Sequence, residues 1–503
     1  MSLTQLTTRA QEGVSAPEVS VEVHISNGLP AFTMVGLAEA AVREARDRVR
    51  SAIINSGFEF PLRRITVNLA PADLPKEGGR YDLSIALGIL GASNQIDAST
   101  LNNFDCYGEL ALGGECRVVE GLLPALIASK KARKQVIIPQ ENRPEAGLVR
   151  DASIYTCRSL VEVCSSLNGG EGLPLIEPTA TFAQGKFAYD LSEVYGQHQA
   201  RRALEIAACG GHHMIMMGPP GTGKSMLAQR LNTILPMMSE NEAMSSASIR
   251  SISHKPVNAA NWLQRPFQSP HHTVSGVALV GGGSNPKPGE ISLAHNGVLF
   301  LDEFTEFDRK SIEVLREPLE TGKIHISRAA RQAEFPAEFQ LIAAMNPCPR
   351  GCDSIQTCAC SLEQLNRYRN KLSAPLMDRI DIQIELPRLE HDELINHKQA
   401  TRESSKQIRK RVTATRNRQL DRQRCLNAKM TNQQIDTYCE LDQATEGLLL
   451  TSIDKLKLTA RSYHKILRLA RTIADMASEP NIQPQHLAEA IAYRNLDKRW
   501  NAQ

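Results

Sequence analysis

The stretch Gly218-Pro219-Pro220-Gly221-Thr222-Gly223-Lys224-Ser225 follows the pattern G-x-x-x-x-G-K-S, which is typical of a phosphate-binding loop. An apolar run, Met214-Ile215-Met216-Met217, precedes it, and apolar residues recur after it at helical spacing, at Leu227, Leu231 and Ile234. We therefore expect a strand, a glycine-rich loop and the start of a helix. In that arrangement backbone N–H groups enclose phosphate oxygens, the lysine adds a positive charge and the serine hydroxyl can bind Mg²⁺. The stretch predicts ATP and Mg²⁺ as ligands; a chance glycine turn before a helix is the alternative.

The composition is that of an ordinary globular protein. The 503 residues are enough for roughly three domains. The net charge is only +3, so a nucleic-acid partner would have to bind a local basic patch. Residues 1–10 lack an apolar signal core, and no run reaches the roughly 18 apolar residues of a membrane span. Seven of the eleven cysteines are scattered singly, which favours reduced thiols, so we expect a cytoplasmic protein with no membrane partner.

Apolar patterning divides the chain into four segments. Residues 1–165 combine helices with alternating strands and predict an α/β domain; one such strand carries Val19, Val21, Val23 and Ile25 on one side. Residues 166–187 are rich in Gly, Ser and Pro and are predicted to form a linker. Residues 188–390 hold the phosphate loop and further apolar strands, which predicts an α/β nucleotide-binding core. Residues 391–503 begin with a basic segment and continue as helices, one of which has an apolar face formed by Ile466, Leu469, Ala470, Ile473 and Ala474.

Two further apolar runs end in polar residues that an ATPase would need. Residues 298–301 lead into Asp302, which can hold Mg²⁺ through water, and Glu303, which can polarise the attacking water as a general base. Residues 341–345 lead into Asn346, whose amide can orient that water without adding charge. Solvated acids at a strand end, and a turn asparagine before a proline, are the alternatives.

Two arginines could complete such a site. Arg379 stands just before a predicted strand, and an arginine that reaches a neighbour's γ-phosphate would stabilise transition-state charge. A salt bridge from Arg379 to Asp378 or Asp381 is the alternative. Arg461 starts a helix in the last segment and could reach the same phosphates, or it could be a solvated arginine at a helix start.

The order of these residues resembles that of an AAA+ ATPase and, more narrowly, the magnesium-chelatase-like ComM/YifB family. The narrower resemblance covers nearly the whole chain. It is carried by Val42-Arg43-Glu44, residues 47–52, Pro270-His271-His272-Thr273, residues 281–284, residues 288–295 and residues 372–379. ComM members of the family act as hexameric helicases that drive DNA branch migration when transforming single-stranded DNA integrates by homologous recombination. The resemblance therefore implies a competence helicase that works in natural transformation.

The resemblance also implies a fold and a set of residue roles. The fold is a Lon-protease-like α/β domain (1–165), a P-loop AAA+ α/β core (188–390) and a C-terminal helical lid domain (391–503). The core would carry an insert in its second helix, at roughly 250–290, and a hairpin before the first sensor. Lys224 and Ser225 would bind ATP and Mg²⁺, Asp302 and Glu303 would be the metal and hydrolysis acids, and Asn346 the first sensor. Arg461 would be the second sensor and Arg379 a finger donated across a subunit boundary, while Val194 and Gly196 belong to a segment similar to the adenine side.

The N-terminal segment is similar to Lon-type protease domains, through Lys76-Glu77-Gly78 and residues 137–142. The position of the nucleophile is nevertheless occupied by Arg80, and Gly113-Gly114-Glu115-Cys116 lacks the expected lysine. Without a Ser–Lys pair, acyl transfer has no activated nucleophile. We expect a non-proteolytic scaffold or a DNA platform.

Two regions are candidates for DNA contact. In related motors the helix-2 insert and the hairpin point into the ring channel, so Lys287, Lys323, Arg328 and Arg331 are predicted to contact single-stranded or branched DNA. Residues 402–424 hold nine basic side chains opposed only by Glu403 and Asp421, which suits phosphate binding without sequence choice. A solvated helix face is the alternative for this basic segment.

Four cysteines lie close together in sequence, at Cys348, Cys352, Cys358 and Cys360. Four thiolates satisfy tetrahedral Zn²⁺, and a structural zinc would pin the loop between Asn346 and Arg379. Free thiols are the alternative.

The sequence leaves two classes of function open. The first is an ATP-driven ring motor on DNA, and the second is a magnesium-chelatase-type motor that remodels a protein partner. The ATP site does not separate them, because a shared fold does not fix function. The N-terminal domain favours the ComM/YifB family, and Arg80 argues against an ATP-dependent protease.

Overall fold

The computed structural model describes residues 2–36, 40–178, 187–253, 255, 257, 261–283, 286–327, 332–352, 358–388, 403–456 and 460–494. The chain divides into two compact units. The first comprises Met1–Gln184, Met244–Trp262 and Ser327–Phe335, and the second Gly185–Ala243, Leu263–Ile326 and Pro336–Gln503. Two short segments from the middle of the chain are thus grouped with the N-terminal region.

The first unit contains a seven-stranded mixed sheet with the strand order β3-β4-β2-β1-β5-β8-β9. The strands in the N-terminal segment of the first unit are β1 (Ser2–Arg9), β2 (Glu18–Ser26), β3 (Ala31–Val35), β4 (Arg64–Ala70), β5 (Phe104–Cys106), β6 (Glu109–Leu110), β7 (Cys116–Arg117), β8 (Gln135–Pro139) and β9 (Ile154–Cys157); β6 and β7 pair with each other in a separate two-stranded sheet. Its helices are α1 (Ala40–Asn55), α2 (Asp82–Ala92), α3 (Leu123–Lys131), α4 (Arg143–Ala146) and α5 (Leu160–Leu167).

The alternation in β2 sets the orientation of this sheet. Val19, Val21, Val23 and Ile25 are all buried, as predicted, because side chains two apart on a strand face the same side. β2 lies antiparallel to both β1 and β4, with Val21 opposite Leu6 and Leu69. The predicted α/β character of the N-terminal region is confirmed.

Part of the predicted linker is held against the first unit. The Thr156 N–H donates to the Pro174 carbonyl over 2.9 Å, and the Ile176 N–H donates to the Ile154 carbonyl over 2.8 Å. These hydrogen bonds satisfy backbone groups of β9 that would otherwise lie at the sheet edge. Residues 179–186 of the linker lie outside the described residues.

The second unit contains a five-stranded parallel sheet with the order β11-β14-β17-β10-β18. The remaining strands of the chain are β10 (Met214–Met217), β11 (Phe267–Gln268), β12 (Gly281–Gly282), β13 (Lys287–Pro288), β14 (Val298–Leu301), β15 (Lys323–Ser327), β16 (Gln332–Pro336), β17 (Gln340–Met345) and β18 (Ile382–Glu385). β10, β14 and β17 are fully buried apolar runs, as a parallel sheet covered on both faces requires. The carboxyl ends of parallel strands meet at one edge, where α/β proteins bind ligands.

The remaining helices of the described residues follow α5 along the chain. They are α6 (His198–Gly210), α7 (Lys224–Ile234), α8 (Glu240–Ile252), α9 (Gly276–Val280), α10 (Glu290–Leu293), α11 (Arg309–Glu313), α12 (Arg316–Thr321), α13 (Leu362–Arg369), α14 (Ala374–Met377), α15 (Ser405–Gln423), α16 (Asn432–Tyr438), α17 (Gln443–Leu456), α18 (Ala460–Ala477) and α19 (Pro484–Ala492). Most of α8 belongs to the first unit. The predicted helical C-terminal region is confirmed.

The apolar face predicted for α18 is buried. Ile466, Leu469, Ala470, Ile473 and Ala474 belong to one core cluster that also contains apolar residues of β10, β14 and β17. The helical region therefore shares a hydrophobic core with the five-stranded parallel sheet. None of the helices in the described parts of the chain is both long enough and apolar enough to cross a bilayer.

Candidate active site

The phosphate loop has the strand, loop and helix context that the sequence predicts. β10 ends at Met217, the glycine-rich loop follows, and α7 begins at Lys224. Gly221 and Gly223 have φ values of +82° and +87°, a region that side-chain-bearing residues rarely adopt. At Gly218, a Cβ would lie 2.6 Å from the Leu386 carbonyl oxygen. Gly221 and Gly223 are therefore required by their backbone conformation, and Gly218 by the close approach of the Leu386 carbonyl.

Lys224 connects the phosphate loop with the predicted first sensor. Its Nζ lies 2.6 Å from the Gly218 carbonyl oxygen, 2.9 Å from that of Pro219 and 3.2 Å from Oδ1 of Asn346. Burial lowers the pKa of Lys224, and the carboxylates of Asp302 and Glu303 oppose that shift. The structure thus brings the lysine, both acids and the amide to the same sheet edge.

Ser225 and Asp302 form a pair of oxygen donors. The Ser225 hydroxyl donates a hydrogen bond to Oδ2 of Asp302, so the first residue of the helix after Lys224 contacts the end of β14. A hydroxyl and a carboxylate are ligands that Mg²⁺ prefers. This donor set fits Mg²⁺ bound together with a nucleotide phosphate.

Glu303 adopts a backbone conformation that is uncommon for its residue type. Its φ and ψ are 52° and 46°, in the left-handed region, which costs a non-glycine residue about 1–2 kcal/mol. Its N–H donates to Oδ1 of Asp302 over 2.9 Å. Such strain is often found at functional sites. Here the strained residue is Glu303, the second of the two acids that follow β14.

His272 contacts the carboxylate of Glu303. Nδ1 of His272 lies 2.8 Å from Oε2 of Glu303, and the glutamate side chain is 52% exposed. The ring of His272 also lies against that of His271, with 4.1 Å between the ring centroids. The Pro270-His271-His272-Thr273 segment was informative in sequence as a mark of the family, but the pattern alone gave its histidines no role. The contact arises in the fold, because β11 precedes the histidines and pairs with β14 in the sheet.

The backbone of Asn346 is held by a tyrosine from α13. The Tyr368 hydroxyl donates to the Asn346 carbonyl over 3.1 Å, and burial raises the pKa of Tyr368 to about 12. The tyrosine therefore stays protonated and remains a donor over the physiological range. Together with the Lys224 contact, this hydrogen bond fixes both the backbone and the side chain of Asn346.

The four clustered cysteines follow Asn346 directly. Their sulfur atoms all lie within 4.8 Å of one another; Cys348 is buried, and Cys352, Cys358 and Cys360 are half-buried. The loop between the first two cysteines reaches the phosphate loop, because a Cβ on Gly351 would lie 3.0 Å from both Cδ and Cγ of Pro220. The cysteine cluster and the phosphate loop, which are far apart in sequence, are therefore neighbours.

Arg379 lies in a different environment. Its guanidinium contacts Oε2 of Glu320 and donates to the Pro375 carbonyl over 2.7 Å, so its acidic partner is neither Asp378 nor Asp381. Arg379 lines a cavity of about 700 Å³ together with Lys429, Lys465 and Arg468. Among the described residues that line this cavity, none belongs to the phosphate loop 218–225.

The other predicted nucleotide-site residues are only partly described. Val194 is buried and Gly196 has a φ of +54°, in the turn that precedes α6. Arg461 lies in the first turn of α18, as predicted, but its side chain is outside the described part of the structure. The contacts of Val194, Gly196 and Arg461 with a nucleotide remain predictions.

Among the predicted DNA-contacting residues, Lys287 lies in β13 and Lys323 at the start of β15, and both are exposed. Arg328 and Arg331 lie outside the described residues.

Five arginines of the basic segment at 402–424 have partners within the second unit, and DNA contact by this segment stays a prediction. They bond to carbonyl oxygens of Thr233, Ala208 and Asp475 and to carboxylates of Glu205, Glu403 and Asp475. These arginines are Arg409, Arg411, Arg416, Arg418 and Arg422. The physical reason is that long arginine stems on α15 cover neighbouring elements while their heads reach polar partners.

In the first unit, Arg80 is held as a structural residue. Its guanidinium donates to the Gln11 side chain over 3.0 Å and to the Glu120 carbonyl over 2.8 Å. Lys76 is fully buried, and its Nζ donates to the carbonyls of Gly36 and Pro71. Both cations are thus bound to acceptors within this unit, and the non-proteolytic character of the domain stays a prediction.

Three family models match this chain. The model described as "Magnesium chelatase, subunit ChlI" matches residues 190–394, which contain the phosphate loop, both acids, Asn346 and Arg379. "Subunit ChlI of Mg-chelatase" matches residues 21–142, and "Magnesium chelatase, subunit ChlI C-terminal" matches residues 402–494.

Similar proteins extend this relationship to the whole chain. The chain is 50% identical over 500 residues to "Competence protein ComM" of Haemophilus influenzae, covering 99% of this chain and 98% of that protein. It is 48% identical over 504 residues to "Uncharacterized protein YifB" of Salmonella typhimurium, with 99% and 98% covered. A distant relative is "DNA replication licensing factor Mcm6" of Anopheles gambiae, 23% identical over 387 residues, with 67% of this chain and 43% of that protein covered.

Proposed function

Because the chain belongs to the ComM/YifB family of magnesium-chelatase-like AAA+ proteins, we propose that it is a ring-shaped motor that hydrolyses ATP to move DNA strands. The observation that carries the proposal is the convergence of Lys224, the Ser225–Asp302 pair, Glu303 and Asn346 at one sheet edge. These side chains would supply a positive charge for the phosphates, oxygen donors for Mg²⁺, a general base and an amide to orient the water.

ATP would bind with its phosphates in the loop 218–225. Backbone N–H groups and Lys224 would neutralise phosphate charge, and the dipole of α7 would add to their effect. Ser225 and Asp302 would hold Mg²⁺, which neutralises charge on the β- and γ-phosphates when bound. The contacts of Lys224 with the Gly218 and Pro219 carbonyls keep its ammonium inside the loop, where it has little conformational freedom left to lose on binding.

Hydrolysis would depend on Glu303 and Asn346. A water molecule attacks the γ-phosphorus, its proton passes to the Glu303 carboxylate, and ADP leaves with the negative charge that develops on its terminal oxygen. Asn346 can orient the water because Lys224 and Tyr368 fix its side chain and its backbone. His272 contacts Oε2 of Glu303, so it would limit the access of the attacking water to that oxygen.

A second copy of the chain would complete the site. Arg379 contacts Glu320 and lines a cavity that includes no residue of its own phosphate loop among those described, so a neighbour's ATP is the better target for its charge. An arginine supplied in trans stabilises the charge of the transferring phosphoryl group. By family resemblance the assembly is a hexameric ring, with Arg461 as the second sensor.

DNA is the proposed substrate of the motor. One relative is named a competence protein and another a DNA replication licensing factor, and these names describe those two proteins. For this chain we infer branch migration of single-stranded or branched DNA during the recombination step of natural transformation, in the cytoplasm. Lys287 and Lys323 are exposed, and with Arg328 and Arg331 they would follow DNA phosphates through the ring channel.

A second candidate is a chelatase-type motor that remodels a protein partner. It is favoured by the match of residues 190–394 to the magnesium chelatase subunit. Both candidates use the same ATP site, so only the polymer on which the motor acts separates them.

The discriminating experiment measures the ATPase rate of the full chain with and without single-stranded DNA, at low and at moderate salt. A DNA motor is stimulated, and the stimulation falls with salt because phosphate contacts release counterions. The Lys224→Ala variant serves as the background control. No stimulation at either salt would remove the support for the DNA motor and favour the protein-remodelling candidate.

A further inference from the structure

The cysteine cluster is placed between the ATP site and the helix that supports it. Cys348 is two residues after Asn346, and Ser361, the capping residue of α13, is one residue after Cys360. α13 carries Tyr368, which binds the Asn346 carbonyl. The segment with the four cysteines therefore connects Asn346 to α13, the helix whose Tyr368 binds Asn346.

The distances among the sulfurs fit a tetrahedral metal site. Four sulfurs bound to Zn²⁺ at about 2.3 Å lie about 3.8 Å from one another. In this chain the four Sγ atoms all lie within 4.8 Å, so shifts of about an ångström would bring them to that geometry. Among the described residues, this is the one group of three or more His, Cys, Asp or Glu side chains close enough to hold a metal ion.

The backbone around these sulfurs is also arranged as in a thiolate site. The Cys352 N–H donates to Sγ of Cys348 over 3.2 Å, and the Cys360 N–H donates to Sγ of Cys358 over 3.5 Å. Hydrogen bonds from surrounding donors orient metal ligands and stabilise their charge. Gly351, between the first two cysteines, has a φ of +66°, which lets the chain turn back over the sulfur of Cys348.

The same turn contacts the phosphate loop. A Cβ on Gly351 would lie 3.0 Å from Cδ and Cγ of Pro220, which is exposed apart from such contacts. We propose that Cys348, Cys352, Cys358 and Cys360 bind one structural Zn²⁺ ion and that this zinc holds the Gly351 turn against Pro220, so that the phosphate loop keeps its nucleotide-binding shape.

Zinc suits this role better than a redox-active group. Zn²⁺ has no redox chemistry and forms closed four-cysteine sites that stabilise a fold. On binding, each thiol loses one proton to solvent and forms one Zn–S bond, so the site changes neither oxidation state nor backbone connectivity. Binding should weaken at low pH, because protons compete for the four sulfurs.

The first experiment measures metal content in the full chain and in two serine variants. We expect about one zinc per chain in the unmodified protein and in Cys425→Ser, whose half-buried cysteine lies outside the cluster. Cys358→Ser should retain less than half an equivalent. Replacement by Co²⁺ should give the visible absorption of tetrahedral thiolate cobalt in the first two proteins only. Less than half an equivalent in the unmodified protein after zinc reconstitution, or full zinc in Cys358→Ser, would overturn the site.

The second experiment tests the link to the phosphate loop. Removal of zinc by a chelator should weaken binding of a fluorescent ATP analogue at least tenfold, and added zinc should restore it. Gly351→Ala keeps all four cysteines but places a methyl group against Pro220, so it should retain zinc and still bind the analogue more weakly. If zinc removal and Gly351→Ala both leave the affinity unchanged, the bracing role is wrong. Neither readout involves DNA, so failure of the proposed DNA motor would leave both results intact.

Discussion

Nδ1 of His272 lies 2.8 Å from Oε2 of Glu303. The two residues follow β11 and β14, which pair in parallel with Phe267 opposite Val298, so both reach the same sheet edge. The contact with imidazole occupies one oxygen of the carboxylate, so that oxygen is less open to an attacking water. The contact therefore links the proposed general base Glu303 to a histidine from the segment that follows β11.

This contact predicts that His272→Ala raises the ATPase rate measured without DNA. We expect a two- to fivefold increase, or about 0.4–1 kcal/mol in activation free energy, because the carboxylate no longer shares its proton-accepting oxygen. His271→Ala is the matched control: its Nδ1 contacts the Thr273 hydroxyl at 2.9 Å, and we expect a smaller change. A rate for His272→Ala well below that of the unmodified protein would mean that the histidine assists hydrolysis.

Substitutions of Lys224 and of Glu303 should affect different steps, the first ATP binding and the second ATP hydrolysis. Lys224→Ala removes the charge held among the loop carbonyls and should abolish binding of a fluorescent ATP analogue. Glu303→Gln should bind that analogue normally but turn over ATP at least about a hundredfold more slowly, the usual contribution of a general base. Equal turnover by Glu303→Gln and the unmodified protein would exclude this residue as the base.

Lys287 and Lys323 should affect only the response to DNA. The double variant Lys287→Ala, Lys323→Ala should keep its DNA-free ATPase rate and lose most of its stimulation by single-stranded DNA. The slope of log affinity against log salt should become shallower by about 0.7 for each DNA phosphate that the variant no longer neutralises. Lys406→Ala, Lys410→Ala alters two exposed lysines of α15 and should behave like the unmodified protein. If instead this second pair reduces stimulation, the DNA path runs along α15.

A buried ion pair beside Arg379 makes a prediction about stability. Nζ of Lys465 lies 2.7 Å from Oδ1 of Asp381, and each side chain is 10% exposed. Lys465→Met leaves the buried carboxylate without its cation and should lower the free energy of unfolding by about 3–5 kcal/mol. The exposed pair Arg367–Glu363 is the control, because Arg367→Met should cost less than about 1 kcal/mol.

The Lys465–Asp381 ion pair should also make the free energy of unfolding depend on pH. Burial alone would raise the pKa of Asp381, but Lys465 and His212 outweigh it and hold that pKa well below its ordinary value. A carboxyl with a depressed folded-state pKa stabilises the fold above its unfolded pKa of about 4, and that stability is lost as the pH falls further. In Lys465→Met the burial of Asp381 is no longer opposed by the lysine, so the carboxyl of the variant takes up a proton at a higher pH than that of the unmodified protein. The difference in unfolding free energy between the two proteins should therefore be largest where both carboxyls are ionised, and it should shrink as the pH falls and Asp381 of the variant becomes protonated. A constant difference down to the lowest measurable pH would contradict this account.

Periodicity in the sequence was sufficient to predict the strands and helices that carry the site. β10, β14 and β17 are unbroken apolar runs, and each is followed at once by its polar residue, so their placement in a parallel sheet needed only local information. The spacing of the glycines in the phosphate loop likewise predicts a loop whose backbone conformations require glycine.

Contacts between distant segments could not be predicted in this way. The pairing of His272 with Glu303, and of Gly351 with Pro220, depends on which strands are neighbours in the folded sheet. The internal partners of the α15 arginines were missed for a related reason. The charge of these arginines suggested an external partner, whereas Glu205, Asp475 and several backbone carbonyls are brought to them only by folding.

The central claim is that one ATP is shared between Lys224 of one copy and Arg379 of another. Arg379→Ala should leave binding of the ATP analogue intact and reduce turnover by about a thousandfold, while Lys224→Ala should lack binding. The most direct test mixes these two inactive variants and measures ATPase activity after their subunits exchange. In mixed rings, a phosphate loop from the Arg379→Ala subunit meets an intact arginine from the Lys224→Ala subunit, so activity should return. If no activity returns at any mixing ratio although mixed assemblies form, Arg379 does not act on a neighbour's nucleotide.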